Sequence, residues 1–329
     1  MINFVLYLFL NAMASNDLFY LAPLQGFTDY VYRKCYHQLF GDIDTYYIPY
    51  ISFASGHKIR NSQMRDLLPE NNSGVPVIPQ ILCSDEVEMK QLASLVKDHG
   101  YQKLNLNLGC PYPMATNRGR GAALLEKPDE LKRILDALFS DFEFEVSLKF
   151  RAGMTDEQSI FQLIEILKVY PFTQLIFHPR TADQLYKAEA NRSLFAPFVQ
   201  VMNRPIIYNG DINSIDDLDE IRKMVPDQNQ WMIGRGVLSN PFLIGELNGK
   251  EISPEEKKRL RLEFHELIFE TYQQHFSDKG QLLMKMKGFW SYFANSFTNP
   301  HKAFKSVKKS SSLDKFKQNY PAIFQNYEF

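Results

Sequence analysis

Cysteine is scarce in this chain. Its 329 residues include three, Cys35, Cys83 and Cys110, and no two of them form a C-x-x-C pair. That spacing argues against a zinc site, a disulfide framework and a cysteine-ligated iron–sulfur cluster, and it favours a reducing compartment. An excess of one charge is also missing. Lys and Arg number 37 against 38 Asp and Glu, a net charge of −1, so any hold on nucleic acid has to come from local basic patches. Long apolar runs are lacking as well. The stretch from Met1 to Leu10 is too short to cross a bilayer and has no Lys or Arg ahead of it, although Ala12-Met13-Ala14 mimics a signal-peptidase site. The expectation is a cytoplasmic protein without membrane contact. Residues 1–16 are then an extension, disordered or mis-started, with Met13 an alternative start. Finally, no glycine-rich fingerprint follows the first strand-like run, where Ala22-Pro23-Leu24-Gln25-Gly26 stands instead. A doubly wound dinucleotide-binding sheet would normally carry one.

What the chain does contain is alternation. The composition is that of an ordinary globular protein, 45% hydrophobic and 23% charged. Short β-rich runs cover 19–23, 45–51, 75–82, 103–108, 145–150, 174–178, 205–209 and 230–234, with helix-length segments between them. Met89, Leu92, Ala93 and Val96 recur at i, i+3, i+4 and i+7, and so do Ile160, Leu163, Ile164 and Leu167. Eight β-α units between residues 17 and 247 fit an α/β fold closed as a (β/α)8 TIM barrel. After the Asn248-Gly249-Lys250 turn the texture changes. Ser253-Pro254 reads as an N-cap with proline at the first helical position, and residues 252–329 are expected to form a small all-helical C-terminal domain. From 251 onward 13 Lys and Arg stand against 9 Asp and Glu, with the lysines gathered at 302, 305, 308, 309, 315 and 317. Most such runs are solvated faces. The aromatics among them, such as Phe289, Trp290 and Phe316, are mostly expected in the core rather than as stacking platforms.

In a barrel of this kind chemistry collects at the C-terminal strand ends. Those ends carry Pro23 and Leu24, then Gln80, then Asn107 and Cys110, then Lys149 and Arg151, then His178, then Asn209-Gly210-Asp211, and last Gly234-Arg235-Gly236. Each has an ordinary structural explanation: a rim charge for Lys149, a hydrogen-bonded core histidine for His178, a plain turn for Asn-Gly-Asp, a buried apolar thiol for Cys110. A polar group at nearly every end is harder to explain by packing. Phosphate sites in these barrels form from the loops after strands seven and eight. There Gly210, Gly234 and Gly236 allow close approach of backbone N–H groups, and Arg235 adds charge. Asp211 is assigned to loop shape or a ribityl hydroxyl. A phosphorylated cofactor follows, and Lys149 suggests a flavin, because a cation at its pyrimidine edge stabilises the charge that appears on reduction. Gln80 can bond that edge, and His178 the edge or the phosphate. Cys110, followed by the rigid Pro111, suits a general acid, since a thiol near its usual pKa of ~8.5 is protonated at neutral pH.

These residues resemble the tRNA-dihydrouridine synthases. The resemblance runs through Leu21-Ala22-Pro23-Leu24-Gln25-Gly26-Phe27-Thr28-Asp29, Pro79-Gln80-Ile81-Leu82, Asn107-Leu108-Gly109-Cys110-Pro111, Gly119-Arg120-Gly121, Ser147-Leu148-Lys149-Phe150-Arg151, Phe177-His178-Pro179-Arg180-Thr181, Tyr208-Asn209-Gly210-Asp211 and Gly234-Arg235-Gly236. It continues less specifically into Lys287-Gly288-Phe289-Trp290-Ser291-Tyr292-Phe293. It implies an FMN barrel and a helical domain that together clasp tRNA, with NADPH, or NADH in its place, reducing the flavin. Hydride would pass from the flavin N5 to uridine C6 and a proton from Cys110 to C5. By the same resemblance Pro23, Leu24, Gln80, Lys149, His178, Asn209, Gly210, Asp211, Gly234 and Arg235 frame FMN. Asn107 borders flavin and substrate, and Arg180 lies near the uridine. A target uridine has to be extruded from the folded RNA, and the grip on phosphates is expected from Arg118, Arg120 and the helical-domain lysines, with Lys58, Arg60 and Arg65 a further rim patch. Asn105, Pro179 and Leu24 depart from the family's usual Asp, Gly or Ala, and Met; the Asn105 amide is expected to serve a neighbouring backbone group. The competing enzyme is an FMN barrel acting on a free pyrimidine, of dihydroorotate or dihydropyrimidine dehydrogenase type, against which the lysine-bearing helical module argues. A non-catalytic RNA chaperone is disfavoured by the presence of Cys110, Lys149 and both phosphate loops. No metal is expected, and the chain is expected to act as a monomer.

Overall fold

Side-chain alternation divides the strands between two cores. Tyr20, Ala22, Tyr47, Ile78, Ile176, Ile207 and Met232 form one buried cluster, while the intervening Phe19, Leu21, Tyr46, Phe177, Tyr208 and Trp231 join a larger one shared with the helices. This is the two-faced pattern of a barrel whose strands point alternately inward and outward. The structure is a computed structural model that describes residues 17–54 and 57–326. The extension expected for residues 1–16 lies outside them.

Among the described residues there are nine strands, all paired in parallel: β1 Leu18–Leu21, β2 Thr45–Tyr47, β3 Val77–Ile78, β4 Gln80–Ile81, β5 Lys103–Leu108, β6 Glu145–Gly153, β7 Gln174–Thr181, β8 Ile207–Asn209 and β9 Gln230–Ile233. Their order is β3-β2-β1-β9-β8-β7-β6-β5-β4. The two ends of this order, β3 and β4, are halves of one extended segment interrupted at Pro79. Val77 and Ile78 pair with β2, and Gln80 and Ile81 pair with β5, so the ring closes through a single stave. The eight expected runs thus become eight staves, one of them split where proline supplies no ladder donor. The expected 45–51 run shortens to three residues, and Ile51 returns only as an isolated bridge to Ile81.

After β9 come short helices and then four longer ones, Pro254–His275, Lys279–Phe293, Pro300–Lys308 and Leu313–Asn326. Ser253 caps the first of the four as its sequence suggests, its hydroxyl accepting from Glu256 N–H at 3.2 Å. Phe269, Phe289, Trp290, Phe293, Phe316 and Phe324 are buried, as core residues. The six clustered lysines are all exposed. Among the described residues no helix is long and apolar enough to cross a membrane.

The helical layer grips the loop that follows β1. Lys285 donates to the Gly26 carbonyl at 2.7 Å and pairs with Asp29 at 2.7 Å. The Tyr272 hydroxyl bonds the same carboxylate, and Tyr292 packs edge-on against Phe27 at 5.0 Å. Asp29 in turn caps the helix Tyr30–Leu39 through Tyr32 N–H. A segment that lines the barrel mouth is therefore set partly by residues some 250 positions later in the chain.

Candidate active site

Cys110 owes its position to Asn107. The Asn107 Oδ1 accepts from the N–H groups of Gly109 at 2.9 Å and Cys110 at 2.8 Å, which fixes the turn leaving β5. Its Nδ2 donates to Gln80 Oε1 at 2.7 Å, Gln80 Nε2 donates to Asn105 Oδ1 at 2.6 Å, and Asn105 Nδ2 reaches Ser147 Oγ at 2.8 Å. This buried amide chain revises two expectations. Gln80 is fully buried with both ends of its amide engaged, and it supports Asn107 rather than facing the cavity. Asn105 serves two side chains instead of a backbone group. On the other side, Gly121 lies against Cys110. A Cβ at Gly121 would stand 2.8 Å from both the Cys110 Cβ and its carbonyl oxygen, and Ala122 N–H donates to that carbonyl at 3.1 Å.

The thiol opens on a cavity of about 130 Å³ lined also by Asn107, Tyr50, Lys149 and Arg151. Burial pushes the Cys110 thiol up, against the lowering effects of the Tyr112 N–H, Tyr50, Arg151 and Lys149. It is a protonated thiol at neutral pH. Lys149, on β6, is pushed down to about 7 by burial and by Arg151. This cavity adjoins one of about 360 Å³ that shares Pro23, Leu24, Lys149, His178 and Arg235 with it and continues to the β8 and β9 loops.

Charge at this mouth is unbalanced. Lys149, Arg151, Arg180 and Arg235 line the two cavities with a single carboxylate, Asp211. Among the described residues neither Lys149 nor Arg151 pairs with an acid; Arg151 donates to the carbonyls of Thr181 and Leu185. Buried cations without counter-ions are costly, and an anionic group in the cleft relieves that cost. His178 is held neutral: burial lowers its pKa far below the ordinary value, and the charges of Arg151, Lys149, Arg180 and Arg235 add to the effect. Arg180 Nη1 lies 2.8 Å from His178 Nε2. Since arginine can only donate, the ring proton sits on Nδ1, which leaves a donor rather than an acceptor at that atom.

The far end of the larger cavity is made by two turns. Gly210 has φ +158, and a Cβ there would meet Ala190 at 2.8 Å, so the backbone runs where a larger residue would clash. Asp211 follows in the left-handed region at φ 41, a strained turn for a non-glycine residue. It is held by Ala190 N–H at 2.8 Å, by Arg180 and by Arg235 at 2.7 Å. Burial alone would raise the Asp211 carboxyl, but these bonds and charges bring it below the usual range. These contacts hold the shape of the loop. Asn209 Nδ2 donates to Met232 O at 2.8 Å and ties β8 to β9, while Gly234 sits close to Ala22 and Leu24. Glycine turns, Arg235 and an uncompensated Lys149 along one cavity fit an anionic, phosphate-bearing flavin.

The other expected contacts lie on the wall of the larger cavity or beyond it. Arg180 is buried, donating to Ala188 O as well as to His178 and Asp211, so it braces the cavity wall. Arg120 is buried in an ion pair with Glu88 and a bond to Phe53 O; it anchors its loop instead of facing solvent. Arg118 is exposed on the same loop, outside the two cavities just described. Among the lining residues that the sequence reading did not assign to the site are Tyr50, Arg151, Tyr186 and Tyr292. Arg235 and Arg151 lie 4.7 and 5.2 Å from the Tyr186 ring centre. Arg151 was visible as a strand-end cation, whereas the tyrosines carried no signal separable from ordinary aromatic packing.

Comparison with known proteins places the chain in a family. A sequence model of the family described as "Dihydrouridine synthase (Dus)" matches residues 20–328. The tRNA-dihydrouridine synthase B of Pasteurella multocida (strain Pm70) is 29% identical over 226 residues, 68% of this chain and 67% of that one. The tRNA-dihydrouridine(16) synthase of Cupriavidus necator is 27% identical over 237 residues, 70% and 73% of the two chains. Among solved structures, histamine dehydrogenase from Rhizobium sp. 4-9 superposes with a TM-score of 0.50 at 10% identity, over 75% of this chain and 47% of that one, a likeness of fold alone. With a match over nearly its whole length, the chain belongs to the dihydrouridine synthase family.

Proposed function

We propose that this chain reduces particular uridines of tRNA to 5,6-dihydrouridine, using FMN held between Lys149 and the β8 and β9 loops and NADPH, or NADH in its place, as reductant. FMN, when bound, supplies the hydride that reaches uridine C6. Every other part of the reaction falls to the chain's own residues. Cys110 Sγ–H gives its proton to C5, and the thiolate left behind is eased by the Tyr112 N–H and the cations of Arg151 and Lys149. Asn107 holds the thiol at the cavity, and Lys149 sits where an anionic ring edge relieves its missing counter-ion. Asn209, Gly210, Gly234 and Arg235 cradle the phosphate, with His178 offering its Nδ1 proton. Residues 17–247 act as the catalytic unit and 252–329 as the tRNA-binding one. The exposed lysines of the last two helices take RNA phosphates, and the enzyme works as a monomer in the cytoplasm. The observation that carries this reading is the placement of a protonated thiol and an unpartnered ammonium group on one cleft.

The test is Cys110→Ala. The variant should purify yellow, with FMN bound and reduced by NADPH as in the unaltered enzyme, while dihydrouridine formation on tRNA lacking the modification falls by roughly a hundredfold or more. Dihydrouridine formation at the unaltered rate would remove Cys110 from the reaction.

A further inference from the structure

A third cavity, of about 210 Å³, shares Tyr50 and Gln25 with the Cys110 cavity and nothing with the larger cavity at the β8 and β9 loops. Its walls carry Arg60, Arg118 and Arg120 and no carboxylate. Arg120 is neutralised by Glu88. Arg60 and Arg118 are exposed, on the loops that follow β2 and β5, and Arg60 makes no ion pair among the described residues. Within the cavity Gln63 is only 3% exposed. Its Nε2 donates to the Tyr50 carbonyl at 3.0 Å, while its Oε1 has no partner among the described residues. A buried acceptor in that state calls for a donor from a ligand or solvent. The turn after Cys110 presents two apolar side chains, Tyr112 on the Cys110 cavity and Met114 on the basic one, 47% and 61% exposed.

We propose that this cavity is a subsite for the ribose-phosphate of a nucleotide adjoining the reacting uridine: Arg60 and Arg118 take the phosphodiester, Gln63 Oε1 accepts from the ribose 2′-hydroxyl, and Tyr112 with Met114 meets the neighbouring base. The proposal rests on the function argued above. A polynucleotide with one base in the Cys110 cavity must continue past its rim, and the basic cavity is the next recess, one side chain away. Guanidinium groups match the charge and fork of a phosphate. A lone buried acceptor matches the 2′-hydroxyl, the group that distinguishes RNA from DNA. An exposed tyrosine beside the entrance is the surface on which an unpaired base stacks. A nicotinamide nucleotide also carries ribose and phosphate, but its reducing end has to reach the larger cavity at the β8 and β9 loops, with which the basic cavity shares no residue.

The test uses the FMN-loaded enzyme and an unmodified tRNA transcript. Arg60→Ala, at an exposed position, should raise the Kd for the transcript about tenfold near 0.15 M salt and reduce the slope of log Kd on log salt by roughly 0.7 to 0.9, the loss of one phosphate contact. A single 2′-deoxy substitution next to the target uridine should weaken binding to the unaltered enzyme several-fold and add nothing to Gln63→Leu. Flavin reduction by NADPH without tRNA should keep its rate in Arg60→Ala. Unchanged affinity and slope would overturn the proposal. Slower flavin reduction with unaltered tRNA binding would also overturn it, assigning the cavity to the nicotinamide nucleotide. Failure of the unaltered enzyme to bind or reduce any tRNA would instead bring down the function on which the proposal rests.

Discussion

Lys149 is the residue at which the electrostatics of the mouth can be measured directly. Its ammonium is pushed down to about 7 by burial and Arg151, while in an unfolded chain it would titrate near ~10.4. Between those values the unfolded chain holds a proton that the folded one has lost, so stability rises with pH across that window. Below about 7 the penalty is present in full. Flavin-free Lys149→Met should therefore melt higher than the flavin-free unaltered protein at pH 7, with the difference shrinking through pH 8 and 9. Thermal melts at these pH values check it. Re-adding FMN should abolish most of the difference, because an anionic group across the lysine restores its charge. An advantage independent of pH would mean that Lys149 is not desolvated in this way. Lys149 and Cys110 were legible in the sequence because both stand where a strand ends and both carry a rare chemistry. Arg120 was not: its partner Glu88 lies 32 residues earlier, and no local pattern joins them.

The elements around Cys110 divide the same way. The alternating Leu104–Leu108 run announced a strand with two faces, and β5 follows it. The role of Gln80 was hidden because its stave breaks at Pro79, and the chain of amides from Gln80 to Asn107 exists only through the pairing of β4 with β5. The loop 119–121 was legible as a family motif but not as a support. Gly121 adopts φ +62 and leaves no room for a Cβ against Cys110. Gly121→Ala should displace the turn that carries the thiol. We expect a loss of about 1–3 kcal/mol in unfolding free energy and a fall in dihydrouridine formation larger than tenfold, with FMN content close to normal. Parallel measurement of flavin absorbance and tRNA reduction separates these effects. Loss of FMN in proportion to activity would place the damage in the barrel as a whole rather than at Cys110.

At the scale of the molecule, the barrel and the helical layer share one mouth, since Lys285 and Tyr292 hold the loop carrying Pro23, Leu24 and Phe27. The sequence announced both parts through a change of texture near residue 250, but not this grip, which depends on side chains far apart in the chain. Its weak point is His265. The ring is fully buried among Phe269, Trp290, Phe316, Tyr320 and Phe324. Among the described residues neither ring nitrogen has a hydrogen-bond partner, and Glu266 at 3.9 Å is too far to supply one. Burial lowers its pKa, with Glu266 opposing the shift, so the folded protein keeps the ring neutral while an unfolded chain takes up a proton near ~6.5. Stability from this group is complete above that value and declines by about 1.4 kcal/mol for each pH unit below it, until the folded form is protonated as well. On acidification from pH 7 to 5.5 the helical layer should loosen before the barrel. The loop after β1 would be freed, and tRNA reduction lost reversibly while the barrel strands keep their hydrogen-exchange protection. His265→Phe removes the titrating group from an aromatic core and should move the midpoint of this loss to lower pH. If the midpoint stays in place, the acid sensitivity belongs to the phosphate-contacting surface or to the cleft, and the hold of the helices on the β1 loop does not pass through His265.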